Sequence, residues 1–201
     1  MKSPATVALT EILSSEHEVI KRGVSVLGRL CAHLRLGGAL DQEAVDSLLR
    51  FLREYADEHH HAKEEHILFP WVQANGFVRG AGPIEVMISD HIRARSHVSE
   101  MGAAMDRLRS SPTDDEARKR FIQAGEAYAV LLWQHIWKED NVLYPMADRL
   151  GTGTVGIYDP TEDPHRDVLA IDAEHRSIVA RLEALAEDWP KPEIPLRRGL
   201  S

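Results

Sequence analysis

Two segments of this chain, residues 60–70 and 135–145, repeat one frame: a histidine, three residues, a glutamate, a second acid, two residues, a leucine, an aromatic residue and a proline. On a helix, positions four apart stack one turn above each other on the same face, so each segment aims an imidazole and a carboxylate in one direction. Half of a metal site is thereby written twice. The fold must bring the two helices face to face.

The remaining apolar pattern supplies the helices to do so. Leu9, Leu13, Ile20, Val24, Leu27 and Leu34 follow the three-and-four spacing of an amphipathic helix that ends at Gly37-Gly38, with His17 in its register. A second helix starts near Asp41, a plausible N-cap, and its stripe runs through Val45, Leu48 and Leu52 to His60, Glu64 and Trp71. His61 is about 100 degrees to the side, while His59 and His66 drift towards the flanks. A turn across residues 75–83 leads to a third helix carrying Ile84, Met87, His91, Val98 and Met105. Thr113 or Asp114 caps a fourth, with Phe121, Tyr128, Leu132, His135, Glu139 and Leu143 on one face, ending at Gly151. No segment alternates with a strand's period. The expected fold is all-α: an antiparallel up-down-up-down four-helix bundle over residues 5–150. Residues 151–201 are expected to form a linker, an additional C-terminal helix from about Arg166 to Asp188, and a Pro-rich tail.

Composition narrows the partners. A net charge of −8 gives the wrong sign for nucleic acid or an anionic membrane. No run of about 18 apolar residues is present to span a bilayer. A single cysteine, Cys31, cannot form an internal disulfide, and no secretory leader is evident, so a soluble cytoplasmic protein is expected.

The polar residues on or beside the four stripes are His17, His60, His61, Glu64, His91, His135 and Glu139. Burying them uncompensated would cost many kcal/mol, against a domain stability of about 5–15 kcal/mol. A bound cation resolves the conflict. Imidazole and carboxylate without thiolate suit iron, manganese or zinc, and two carboxylates among seven donors exceed what one tetrahedral zinc uses. Two ions bridged by glutamate fit better. Ferritin-like carboxylate proteins place the acid before the histidine, as Glu-x-x-His, whereas Leu132 occupies that acid position before His135. Isolated histidines such as His33, His97 and His165 are left out of the set. Tyr128, seven residues before His135 on the same face, is either core filler or a neighbour of the metals.

These residues resemble the hemerythrin-like HHE cation-binding domains. The likeness covers about residues 6–150 and rests on four features: Glu16-His17, the stretch from His60 to Pro70, Asp90-His91, and His135 with Glu139 ahead of Tyr144-Pro145. It implies a four-helix bundle around a non-haem centre of two iron ions, oxo- or hydroxo-bridged, with manganese or zinc as alternatives. By position, His17, His60, Glu64, His91, His135 and Glu139 match the family's ligands, and His61 matches a position that adds a ligand in some relatives. Alignment on Leu68 instead of Pro70 would select His61 and Glu65. Oxygen-carrying members have a second histidine four residues after the one in helix three, where this chain has Arg95. The resemblance implies a protein that binds or senses oxygen, iron or redox state. The alternatives are an enzyme acting on hydrogen peroxide or nitric oxide or oxidising ferrous iron, and an interaction scaffold. His175, in Ala173-Glu174-His175, echoes Ser15-Glu16-His17 but is read as part of a packing helix.

Overall fold

Asp41 and Asp114 each open a helix as their short carboxylates dictate, accepting hydrogen bonds from the backbone N–H of Ala44 (3.0 Å) and Ala117 (2.9 Å). The computed structural model describes residues 8–76, 82–150 and 168–192. Among these there are five helical rods and no strand: α1 (Leu9–Arg35), α2 (residues 42–74), α3 (Pro83–Ser110), α4 (residues 115–149) and α5 (Val168–Leu185). Pro83 takes the first position of α3 as expected, and α1 stops where Gly37 adopts φ +83. The linker expected over residues 151–167 and the tail beyond Pro192 lie outside the described residues, as do residues 5–7 and 77–81.

Cross-helix pairs fix the topology. Along α1, the partners Thr10, His17 and Arg35 meet Asp148, Asp140 and Glu126 of α4, in descending order. Asp57 and Glu65 of α2 meet Arg95 and His91 of α3, while Asp90 and Arg107 of α3 meet Lys138 of α4 and Asp114, which caps α4. Glu16 of α1 bonds His60 of α2. Sequential neighbours are therefore antiparallel, and α4 closes back on α1. The fifth rod lies across α1 and α2: Ile178, Val179 and Leu182 join the main core, and Glu183 grips Arg22 through two bonds of 2.9 and 2.5 Å. His175 is buried there, donating Nδ1–H to the Ile171 carbonyl and stacking on Tyr55. No described helix is long and apolar enough to cross a membrane.

Two rods depart from the regular α-helix, and both departures position the polar layer. In α2, Gln42–Phe51 is regular, Leu52–His61 and Glu64–Leu68 are π-helical, and Phe69–Ala74 is regular again. In α4 only Glu139–Leu143 is widened, between Asp115–Lys138 and Tyr144–Arg149. The wide bonds run from Phe69 N–H to Glu64 O and from Tyr144 N–H to Glu139 O, five residues back in each case. Each comes directly before a proline. Pro70 and Pro145 have no N–H for the carbonyl four residues earlier, and their rings would collide with it; a widened turn is one way a helix relieves that conflict. The polar layer falls between two apolar clusters, the larger running from Val19 to Ala186 and the smaller built on Leu9, Leu13, Phe69, Ile84 and Leu143.

Candidate metal centre

Seven buried side chains converge between these clusters in two groups that share a member. His61, Glu64, His91 and His135 form one group, and His17, His60, Glu64 and Glu139 the other, with one donor atom from each residue lying within 4.8 Å of the others in its group. Glu64 Oε2 faces His91 Nε2 at 3.4 Å on one side and His60 Nε2 at 3.8 Å on the other. Glu139 divides its oxygens similarly, Oε1 at 3.0 Å from His135 Nε2 and Oε2 at 3.2 Å from His17 Nε2. Both carboxylates thus reach across the two groups. All seven residues that the sequence pattern singles out are brought together.

These atoms lack what buried polar atoms normally have. His60 Nε2, His61 Nε2, Glu64 Oε2 and both oxygens of Glu139 are buried without a hydrogen bond, although each points into the convergence. A buried acceptor left unsatisfied costs about 1–3 kcal/mol, and more when charged. A cation in each group would satisfy them together, and a donor set of imidazole and carboxylate with no thiolate suits a first-row divalent metal.

The opposite edge of each imidazole supports the same reading. His17 Nδ1 meets Asp140 at 2.7 Å, His60 Nδ1 meets Glu16 at 2.9 Å, His61 Nδ1 meets Asp57 at 3.3 Å and His91 Nδ1 meets Glu65 at 2.7 Å. His135 Nδ1 faces Asp90 at 3.6 Å, beyond hydrogen-bond range. A ring that gives its Nδ1–H to a carboxylate turns Nε2 inward as the free lone pair and gains basicity, the usual support of a metal-binding histidine. Four of these contacts form a circuit: α4 holds the α1 ring, α1 the α2 ring, α2 the α3 ring, and α3 faces the α4 ring. Each acid is itself met by a cation: Lys21 on Asp140, Lys63 on Glu16, Arg95 on both Glu65 and Asp57, and Lys138 on Asp90. Arg95, which departs from the oxygen-carrier pattern, is an anchor for two orienting carboxylates.

Without a metal, protons occupy part of this site. Burial alone would lower His17 and His135, but the Asp140 bond and the adjacent Glu139 carboxylate raise the first to about 9, and the Glu139 charge with Asp90 raises the second to about 10. His61 is pushed well down by burial and by the charges of His91 and His135. A raised imidazole pKa stabilises the metal-free fold fully below the unfolded value of about 6.5, and that contribution is lost as pH climbs through about 9 to 10. The thermal midpoint of chelator-treated protein should therefore fall between pH 7 and pH 10, and metal uptake at pH 7 should release protons into a weakly buffered solution. A flat midpoint with no proton release would count against this arrangement.

The structure departs from the expected helical register at His59 and His61. Regular turns would spread His59, His60 and His61 over roughly 200 degrees, yet all three are buried, because the π-helical stretch takes an extra residue into each turn. His59 bonds Glu16 at 3.2 Å and stacks on Tyr55; His66 is exposed. Glu65 lies behind His91 and Glu64 lies within both groups, so the two alternative registers are both used, for different tasks. Tyr144 was not singled out as a donor, although the repeated aromatic-proline pair marks its position. Its hydroxyl donates to Glu64 Oε1 at 2.6 Å, and its ring stacks on His17 as Phe69 stacks on His91. His33, left out of the set, bonds the Ala39 carbonyl and stacks on Trp189.

Comparison with known proteins agrees with this geometry. Over 91 residues the chain is 37% identical to the iron-sulfur cluster repair protein YtfE of Musicola paradisiaca (strain Ech703), an alignment that covers 45% of this chain and only 40% of that protein's length. No solved structure matches the chain. Residues 8–147 match the family model described as the hemerythrin HHE cation binding domain. That match takes in the four rods and every residue of the two groups, so the chain belongs to the hemerythrin HHE cation-binding family.

Proposed function

We propose that this chain holds two iron ions, one in each His/Glu group, and uses them to bind or sense oxygen, iron or redox state. Residues 5–150 act as the metal-binding domain, and the segment beyond, with α5, is an appended packing element. The observation that carries this reading is the double arrangement of the imidazoles: their Nε2 atoms face inward on orphaned carboxylate oxygens, while carboxylates face their Nδ1 atoms from behind. His61, His91 and His135 would hold one ion, His17 and His60 the other, with Glu64 and Glu139 between them. Such a pair supplies a reducible centre that can polarise a small ligand. The protein's own contribution is to fix four of the five rings in one tautomer, to keep the layer between two apolar clusters, and to present the Tyr144 hydroxyl beside Glu64 as a hydrogen-bond donor.

The test is metal analysis with an absorption spectrum of the purified protein. About two irons per chain, with a spectrum that changes on oxygen exposure after reduction and reverts on its removal, supports the binding or sensing reading. Zinc alone, or no metal, overturns it. The second reading, an enzyme acting on hydrogen peroxide or nitric oxide or oxidising ferrous iron, is favoured by the likeness to an iron-sulfur cluster repair protein. A steady oxygen yield from hydrogen peroxide, abolished by His135→Ala, would select peroxide turnover.

A further inference from the structure

Four glycines lie inside the rods, Gly23, Gly28, Gly102 and Gly125, and crowding explains Gly23 and Gly125. A Cβ on Gly23 would sit 2.3 Å from the Phe51 ring, and one on Gly125 would sit 2.7 Å from Cys31 Sγ. Gly102, in the middle of α3, meets nothing within 4 Å, although glycine there costs the helix about 0.5–1 kcal/mol relative to alanine. The space it leaves belongs to a cavity of about 550 Å³ between α2 and α3, with Arg53 and Asp106 at its mouth and Leu52, Ala94, Tyr128 and His61 on its inner wall. That volume falls within the range of small-molecule sites, roughly 300–1,000 Å³, and exceeds what a diatomic gas fills.

The lining indicates what would fit. Arg53 and Arg95 offset two of the three carboxylates Asp57, Glu58 and Asp106, so the lining carries little net charge and an anion is not favoured, and the Arg95 guanidinium is held at 2.8–2.9 Å by Asp57 and Glu65. Tyr128, almost wholly buried, is one of the lining residues and carries a phenolic hydroxyl. Burial holds that hydroxyl protonated, which leaves it a donor. His61 is also distinctive: among the five inward histidines it alone has its Nδ1 against a carboxylate of its own rod, Asp57, and both members of that pair line the cavity.

We propose that this cavity is a binding site for a neutral, partly apolar organic molecule that accepts a hydrogen bond from the Tyr128 hydroxyl and lies against the Asp57–His61 pair. Its nearness to a metal rests on the reading above; binding in the cavity does not. The probe is 2-phenyl-2-propanol, which has an apolar ring and one oxygen acceptor, titrated by calorimetry into the full chain with and without metal. Saturable binding is expected in both states, weakened about tenfold in Tyr128→Phe and abolished in Gly102→Phe, whose ring would occupy the space. Unchanged helical circular dichroism and metal content mark the variants as folded, and Gly102→Leu replaces Gly102→Phe if that check fails. Absence of saturable binding by the unaltered chain at millimolar probe, or equal affinity in both variants, overturns the proposal. A chain that takes up no metal yet binds the probe refutes the metal reading alone.

Discussion

Glu64→Ala should empty both metal positions in one step. Glu64 is the residue common to the two groups, its Oε2 lying between His91 and His60, and its Oε1 accepts the Tyr144 hydroxyl. Removing it would take an anionic donor from each of the two proposed ions and leave a buried phenol without its acceptor. Metal content should fall from about two ions per chain towards zero. The thermal midpoint should fall with it, because a ligand bound only by the folded form stabilises by RT ln(1 + [L]/Kd), about 4 kcal/mol at a thousandfold excess over Kd. His61→Ala is the contrast, since His61 belongs to one group only and should leave the other able to load. If Glu64→Ala retained both ions, the assignment of a shared carboxylate would be wrong.

The second large effect is expected at a residue that touches no metal. Glu16 is buried and receives three partners at once: the Lys63 ammonium and His59 Nε2 on one oxygen, and His60 Nδ1 on the other. Burial by itself would raise its carboxyl pKa, but the bonds to His59 and His60 and the Lys63 charge hold it far below the ordinary range. The stabilisation this represents is present above the unfolded carboxylate pKa and is lost only as pH falls through the much lower folded value, so the contacts persist through ordinary acidification. Glu16→Ala removes the carboxylate bonded to the buried Lys63 ammonium, the kind of change that costs about 3–5 kcal/mol, and frees the His60 ring to rotate, which weakens metal affinity by about 10–100-fold. Glu16→Gln keeps the shape without the charge and should fall between alanine and the natural residue. Denaturation of metal-free protein measures the first effect and a competitive chelator titration the second; a variant matching the natural chain in both would dismiss the orienting role.

The fold and most of the donor set can be read from the chain because both depend on positions separated by whole turns. Leu13, His17 and Ile20, or Leu132, His135 and Glu139, repeat with the period of the rod that carries them, so burial and direction follow together. The orienting acids fail that test for a geometric reason. Glu16, Glu65, Asp90 and Asp140 each lie one position from an inward residue, about 100 degrees around the rod, where periodicity alone reads a solvated flank. Antiparallel packing turns that flank onto the next rod's imidazole. Each of these acids is beside an inward residue in sequence, as in Glu16-His17 and Asp90-His91, and that adjacency is the signal that could have found them. A period of 3.6 cannot anticipate a π-helical stretch, which is why His59, expected on a flank, is buried against Glu16 instead. The cavity was out of reach altogether, since it depends on what Gly102 leaves vacant between two rods.

The circuit of acids and rings also bears on handedness. An up-down bundle of four amphipathic rods can wind clockwise or anticlockwise with nearly the same burial of apolar surface, and a sequence that specifies only burial leaves that choice open. Here the acid precedes the inward residue in α1 and α3 and follows it in α2 and α4, so each carboxylate leans towards one particular neighbour. Wound the other way, each would turn towards the wrong rod. The polar waist therefore selects between two mirror-related arrangements that the hydrocarbon on either side of it cannot tell apart.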